Sequence, residues 1–312
     1  MDASEYFAES YRSARGKFLA ACKALQLSPT AFRSPGAPGE PEPALLDFVR
    51  LGDPAATHIL AICGGDRRVD ALCCSAIEVG WLNEFATANL PRDTAIALLH
   101  HGPAPKSGGE AMGTDEPPPE WEDDVLANVE KRYAEYARLQ GVDAMGAPLR
   151  VSSQADVAGY PAKMLDSVAM GLESAATGRI AFIDIRVGLG RYGEAEITPC
   201  HPPASAAARR VRSWFGMSEP QDADGSADAQ AADSLVAGLM RRFPGAEITA
   251  FTAAFGTYSM MSVLDSLASR PAGKSTPDPR RLLFPSDDAW RDAVWRSAII
   301  VIQRALTALH MR

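Results

Sequence analysis

The chain has 312 residues, 46% of them hydrophobic and 7% aromatic, with a net charge of −8. That is enough apolar material for one large α/β domain or two small ones, packed mainly by alanine, leucine and valine. An acidic chain without a long basic run is a poor match for nucleic acid or an anionic membrane surface, and no stretch approaches the ~20 apolar residues that span a bilayer.

Residues 3–26 carry Tyr6, Phe7, Tyr11, Phe18, Leu19 and Leu25 at helical spacing with charges between them, which predicts one amphipathic helix. This segment has no separate apolar core, so it does not read as a secretory signal, and a cytoplasmic location is expected. Residues 28–43, rich in proline and glycine, are expected as loop. Residues 44–51 follow as a short strand, and Gly52-Asp53-Pro54 turns the chain. Residues 57–63 (THILAIC) read as a buried strand leading through Gly64–Asp70 into a helix over 71–88. The connecting loop has neither G-x-G-x-x-G nor G-x-x-x-x-G-K-S/T, so no phosphate-cradle motif is present. Residues 94–101 (TAIALLHH) are a third strand, 106–119 an exposed loop, and 120–140 and 161–176 helices.

Residues 179–193 (RIAFIDIRVGLGRYG) are central. Ile180 to Ile185 is branched or aromatic and mostly apolar, the pattern of a strand buried on both faces of a parallel sheet. Gly188, Gly190 and Gly193 predict a tight turn after it. Ligands of open α/β sheets bind at the carboxyl ends of such strands. Asp184, Arg186 and Arg191 therefore stand at or near a candidate site, or else satisfy turn backbone and each other. Beyond it, the pattern predicts helix over 202–216, an acidic surface insertion over 218–231, helix over 232–243, strand over 247–255, and helix over 258–269. A last helix over 287–310 is capped by Asp287 or Ser286. Alternating strands and helices without an internal repeat predict a single three-layer α/β domain over 1–312, with a mixed, mostly parallel central sheet and helices on both faces. The five cysteines, Cys22, Cys63, Cys73, Cys74 and Cys200, have no disulfide or zinc-ribbon spacing and read as small buried residues of a reducing compartment.

Four stretches, in order, resemble one family. Tyr6-Phe7, Ser10-Tyr11, Ala14-Arg15 and Phe18 match a "YF…SY…AR..F" signature. Gly65 to Glu78 stands where the family has an H-G-x-E-G loop followed by G-S-A-I-Q, here Cys74-Ser75-Ala76-Ile77-Glu78. Ile183–Gly193 matches "IDLHTGLGPYG", and Phe255-Gly256-Thr257 matches "EFGT". The chain thus resembles, over most of its length, a bacterial family of unknown function within the zinc carboxypeptidase superfamily. The resemblance implies that superfamily's metallopeptidase fold and a hydrolase-like site.

Carried over by position, the family's zinc-binding His and Glu of the first loop become Arg67 and Asp70. Its second zinc-binding His becomes Arg186, and its catalytic glutamate becomes Ala254. The segment that grips the substrate carboxylate is missing, and loop 106–119 stands in its place. A catalytic zinc takes three protein ligands plus a water. A guanidinium offers no lone pair and stays protonated, and an alanine cannot accept a proton from water. The expectation is a catalytically degenerate protein, a pseudoenzyme without zinc.

Arg67, Asp70, Asp184 and Arg186 are the candidate ligand-binding residues, suited to a small carboxylate or phosphate, a peptide carboxylate included. The competing arrangement is an inert pocket in which Arg67 pairs with Asp70, and Arg186 with Asp184 or Glu194. A second reading is a partner or regulatory subunit using the helix Ala298–Leu309 and the acidic segment 218–231; oligomeric state stays open. A third is an active metal-dependent hydrolase of peptide, amide or ester bonds with ligands relocated to His100, His101, Cys63, Asp66, Asp70 or Asp184. Adjacent histidines on a strand point to opposite faces, so at most one of His100 and His101 looks into a given site. His201 and His310 are expected as plain surface residues, and Ser75, which lacks a G-x-S-x-G elbow, as packing.

Overall fold

A computed structural model describes residues 2–33, 45–64, 68–86, 90–101, 168–176, 178–218, 233–258 and 284–311. The strands among these residues are β1 (Thr30–Arg33), β2 (Leu45–Gly52), β3 (His58–Gly64), β4 (Thr94–His101), β5 (Arg179–Tyr192), β6 (Ala195–Pro199) and β7 (Glu247–Gly256). They form one sheet in the order β1-β2-β4-β3-β5-β7-β6. The four inner strands β4, β3, β5 and β7 run parallel. The pairs β1–β2, β2–β4 and β6–β7 are antiparallel. The sheet is mixed, mostly parallel at its centre, and has helices on both faces, as expected from the alternation.

The inner strands are apolar on both sides because both sides are covered. On one face Leu60, Ile62, Ile96, Leu98, Ala181, Ile183, Phe251 and Ala253 pack under α1 (Tyr11–Ala24), α2 (Arg68–Glu84) and α5 (Asp288–Ala308). Val211 of α3 (Ala206–Phe215) joins the same core. On the other face Ile59, Ala61, Ala97, Ile180, Phe182, Ile248 and Ala250 pack under Val168, Leu172 and Ala175, and under Leu239 of α4 (Asp233–Arg242). Glu84 ties three elements together, accepting from Tyr6 Oη at 2.5 Å and from Trp295 Nε1 at 3.1 Å.

Several boundaries differ from the sequence reading. The helix expected over 3–26 is two pieces: a 3-10 turn at Ala3–Tyr6, then α1, whose start is fixed by Ser10 Oγ accepting from Ser13 N at 3.2 Å. A side-chain cap there ends any continuous helix. The loop expected over 28–43 contains β1, which pairs with β2 from Thr30 to Arg33. The helix expected over 71–88 begins and ends earlier, at Arg68 and Glu84. The turn expected after Ile185 is a continuation of β5, which keeps pairing with β7 through Gly188 and, after an irregularity, at Tyr192. The reversal comes at Gly193, with φ +69, and opens the unexpected strand β6. The expected segments 106–119, 120–140 and 259–269, together with 161–167 and 219–231, lie outside the described residues.

Candidate functional site

The strand order reverses at β3, with β4 on one side and β5 on the other. Such a switch point leaves a crevice over the carboxyl ends of the strands. Register levels the residues there. Cys63, Asp184 and Thr252 stand side by side on β3, β5 and β7, and Arg186 stands beside Ala254 two residues further on. On β6, Thr198 faces Thr252 and Glu196 faces Ala254. Strand alternation places all of these on one face, the face of Ile180, Phe182 and Ala250.

Asp184 is nearly buried and accepts from Arg186 Nε at 2.7 Å. The carboxylate thereby holds the guanidinium at the strand end, with the Arg186 side chain 27% exposed. Asp70, in the first turn of α2, is fully buried, and its Oδ1 accepts from Val187 N at 2.8 Å. β3 ends at Gly64, level with Ile185. Past that point no strand among the described residues pairs with β5 on this side, and Asp70 supplies an acceptor for Val187 N. Cys63 is buried beside Asp184, and burial first, then that charge, pushes its thiol well above the ordinary range, so it stays protonated.

The candidates of the sequence reading separate accordingly. Asp184, Arg186 and Ala254 come together on one face, and Asp70 braces the same strand end from the helix. Arg67 and Asp66 lie outside the described residues. Of the two proposed partners for Arg186, Asp184 takes the role, while Glu194 meets Arg191 at 3.6 Å. His100 is on the opposite face, stacked on Phe18 at 4.4 Å with Nε2 3.0 Å from Ser75 Oγ, so it does not approach Asp184. The side chain of His101 lies outside the described residues.

His201 is not a surface residue. It is buried, its Nε2 accepts from Ala250 N at 2.8 Å, and burial and then Arg210 lower its pKa to about 4. It extends the β6–β7 ladder past Pro199 with a ring nitrogen in place of a carbonyl. Thr252, Thr198, Glu196 and Cys200, whose Sγ lies 3.4 Å from Thr252 Oγ1, were not singled out by sequence. The alternation of Ala195-Glu196-Ile197-Thr198 was the available signal. Among the described residues, no three His, Cys, Asp or Glu side chains gather to hold a metal ion.

The sheet order defines an α/β protein whose parallel strands end at a topological switch point. The chain belongs to the family described as "Protein of unknown function (DUF2817)", whose model matches residues 7–102 and 162–296. Among solved structures, the chain is similar to glutaminyl cyclase from Porphyromonas gingivalis, with 10% identity, a TM-score of 0.44, and 96% of this chain and 94% of that one covered. It is also similar to glutaminyl cyclase from Tannerella forsythia, with 11% identity, a TM-score of 0.42, and 96% and 94% covered. A Zn-dependent exopeptidase from Parabacteroides distasonis gives 10% identity, a TM-score of 0.40, and 99% and 94% covered. No functionally curated protein matches the chain significantly. Among the described residues, no helix is long and apolar enough to cross a membrane.

Proposed function

We propose that this chain is a non-catalytic, cytoplasmic member of its family that binds a small carboxylate- or phosphate-bearing ligand at the carboxyl ends of β5 and β7. The observation that carries this reading is Arg186, held by Asp184 at 2.7 Å and level with Ala254. An arginine whose plane is fixed by a carboxylate on its Nε is preorganised for anions, because little rotamer freedom remains to be lost on binding. Charge-assisted bonds from a guanidinium to a carboxylate or phosphate are among the stronger hydrogen bonds available.

The same residues do not fit a catalytic zinc ion. Arg186 has no lone pair to give, Asp184 is neutralised by it, Asp70 Oδ1 serves Val187 N, and Ala254 offers no base. No reaction step is therefore assigned to the site. Arg67 is the second cation of this reading, on the strength of its place in the resemblance.

Calorimetric titration with inorganic phosphate and with short peptides bearing a free or an amidated carboxyl end tests the reading. Millimolar or tighter binding is expected for phosphate or the free-acid peptide, weakened about tenfold, ~1.4 kcal/mol, by Arg186→Ala and by Arg67→Ala. Arg186→Lys keeps the charge but loses the fork, and an intermediate loss is expected. Absence of binding at millimolar ligand, or unchanged binding in both alanine variants, overturns the proposal. Copurified zinc at about one per chain, removed by chelator together with hydrolytic activity, overturns it too.

A further inference from the structure

At the opposite, amino-terminal end of the parallel strands, the last turn of α5 is fastened to the sheet through two stacked histidines. His58 opens β3, and His310 follows α5. Their rings lie 4.8 Å apart at 21°. His310 Nε2 is 2.7 Å from Thr94 Oγ1. His58 Nδ1 donates to Asp93 Oδ2 at 3.0 Å, an assignment that follows because an ionised carboxylate only accepts. Asp93 is itself fixed in place, with φ +58, by Thr57 N on its Oδ1 at 2.6 Å and Thr57 Oγ1 on its Oδ2 at 2.5 Å. From β5, Arg179 Nη1 donates to the carbonyls of Leu309 at 2.9 Å and Met311 at 2.7 Å.

We propose that the His58–His310 stack is a pH-responsive latch that docks the end of α5 on the sheet at neutral pH and releases it on acidification. The charges around it decide the direction. Asp93 is the carboxylate in contact with the pair, and it touches His58. Glu247 of β7 is engaged by Arg179 at 3.4 Å and by Arg210 of α3 at 3.4 Å. His310 therefore faces the His58 ring, itself bonded to Asp93, on one side and the Arg179 guanidinium on the other. Burial, then His58, depresses its affinity for a proton in the docked state.

A base with a depressed docked pKa binds its proton more readily when undocked. Docking is accordingly complete above the ordinary histidine value near pH 6.5 and weakens as pH falls below it. Proximity of two like-charged rings adds repulsion that separation of the turn relieves. This latch lies at the other end of the strands from the anion site and stands independently of it.

Three amides report on the docked turn: Leu309 N to Ala305 O, His310 N to Thr307 O and Met311 N to Ala308 O. Hydrogen exchange on the full chain at pH 5.0 and 7.5, corrected for intrinsic rate, measures their protection against the body of α5. The expected result is a loss of protection of about three- to tenfold at pH 5.0 in these amides, with Val301 and Ile302 unchanged. In His310→Phe, which keeps an aromatic ring without a titrating nitrogen, the loss disappears, and in His58→Gln it shrinks. Equal corrected protection at both pH values, the same pH dependence in both variants, or a parallel loss along all of α5 overturns the latch.

Discussion

Asp70 occupies the first turn of α2, where a carboxylate is favoured by the helix dipole, yet its Oδ1 reaches across to the backbone of β5. Removing it takes the Asp70 acceptor away from the buried Val187 N–H. Asp70→Ala is expected to cost about 1–3 kcal/mol in urea unfolding, while Asp70→Asn, which keeps an acceptor oxygen, is expected to cost less. The sequence could place Asp70 at a helix start beside a glycine loop, but not this role, because its partner is 117 positions away. His201 was misread for the same reason. A His-Pro pair looks like a surface turn, and the amide that claims the imidazole, Ala250 N, is 49 positions along the chain. By contrast, Asp184 and Arg186 sit two apart on one strand face, so their pairing was legible as one of the alternatives.

The inner strands were readable because a run that is apolar on both faces has few other uses in a chain this size. The long carboxyl end of β5 was not. Three glycines in six residues suggest a turn, but only Gly193, at φ +69, reverses the chain, while Gly190 and Arg191 run on past Gly256 of β7 at close approach. A Cβ on Gly256 would lie 2.2 Å from Arg191 O and 2.6 Å from Gly190 C, both backbone atoms that a side-chain rotation cannot clear. Gly256 O also accepts from Gly193 N at 2.7 Å and from Trp290 Nε1 at 2.9 Å. Gly256→Ala is therefore expected to destabilise the protein by at least about 1–3 kcal/mol, seen as a lower urea midpoint at unchanged slope. Gly16, inside α1 with open space around it, is the contrasting site. Gly16→Ala is expected to raise stability by about 0.5–1 kcal/mol.

At the scale of the whole molecule, two buried ionisable groups bend the stability curve from opposite sides. His201 must stay neutral to accept from Ala250 N. Its folded pKa, about 4, lies below the ordinary 6.5, so the unfolded chain binds the proton first and this contribution is lost as pH falls between those values. Glu78 of α2 is fully buried, and burial raises its pKa well above the ordinary 4.5. The native state keeps that proton after the unfolded chain has released it. Stability therefore declines with rising pH above 4.5, by at most about 1.4 kcal/mol per unit. Urea midpoints measured from pH 4 to 9 should show the fall above neutrality flattened in Glu78→Gln. Between pH 4.5 and 6.5 the two slopes oppose, so in His201→Gln, which retains an acceptor oxygen, the midpoint should rise as pH falls through that window.

The sheet order also constrains the sequence of assembly. β5 and β6 are joined by the short reversal at Gly193, yet β7 lies between them in the sheet. Until residues 247–256 have been synthesised, β5 and β6 are the two jaws of an empty slot one strand wide, and β5 presents a naked apolar border. A chain interrupted before that point has no local way to cover it, because every contact that closes the slot is long-range. Nascent chains stalled ahead of residue 247 are expected to bind chaperones and self-associate more than the full chain does.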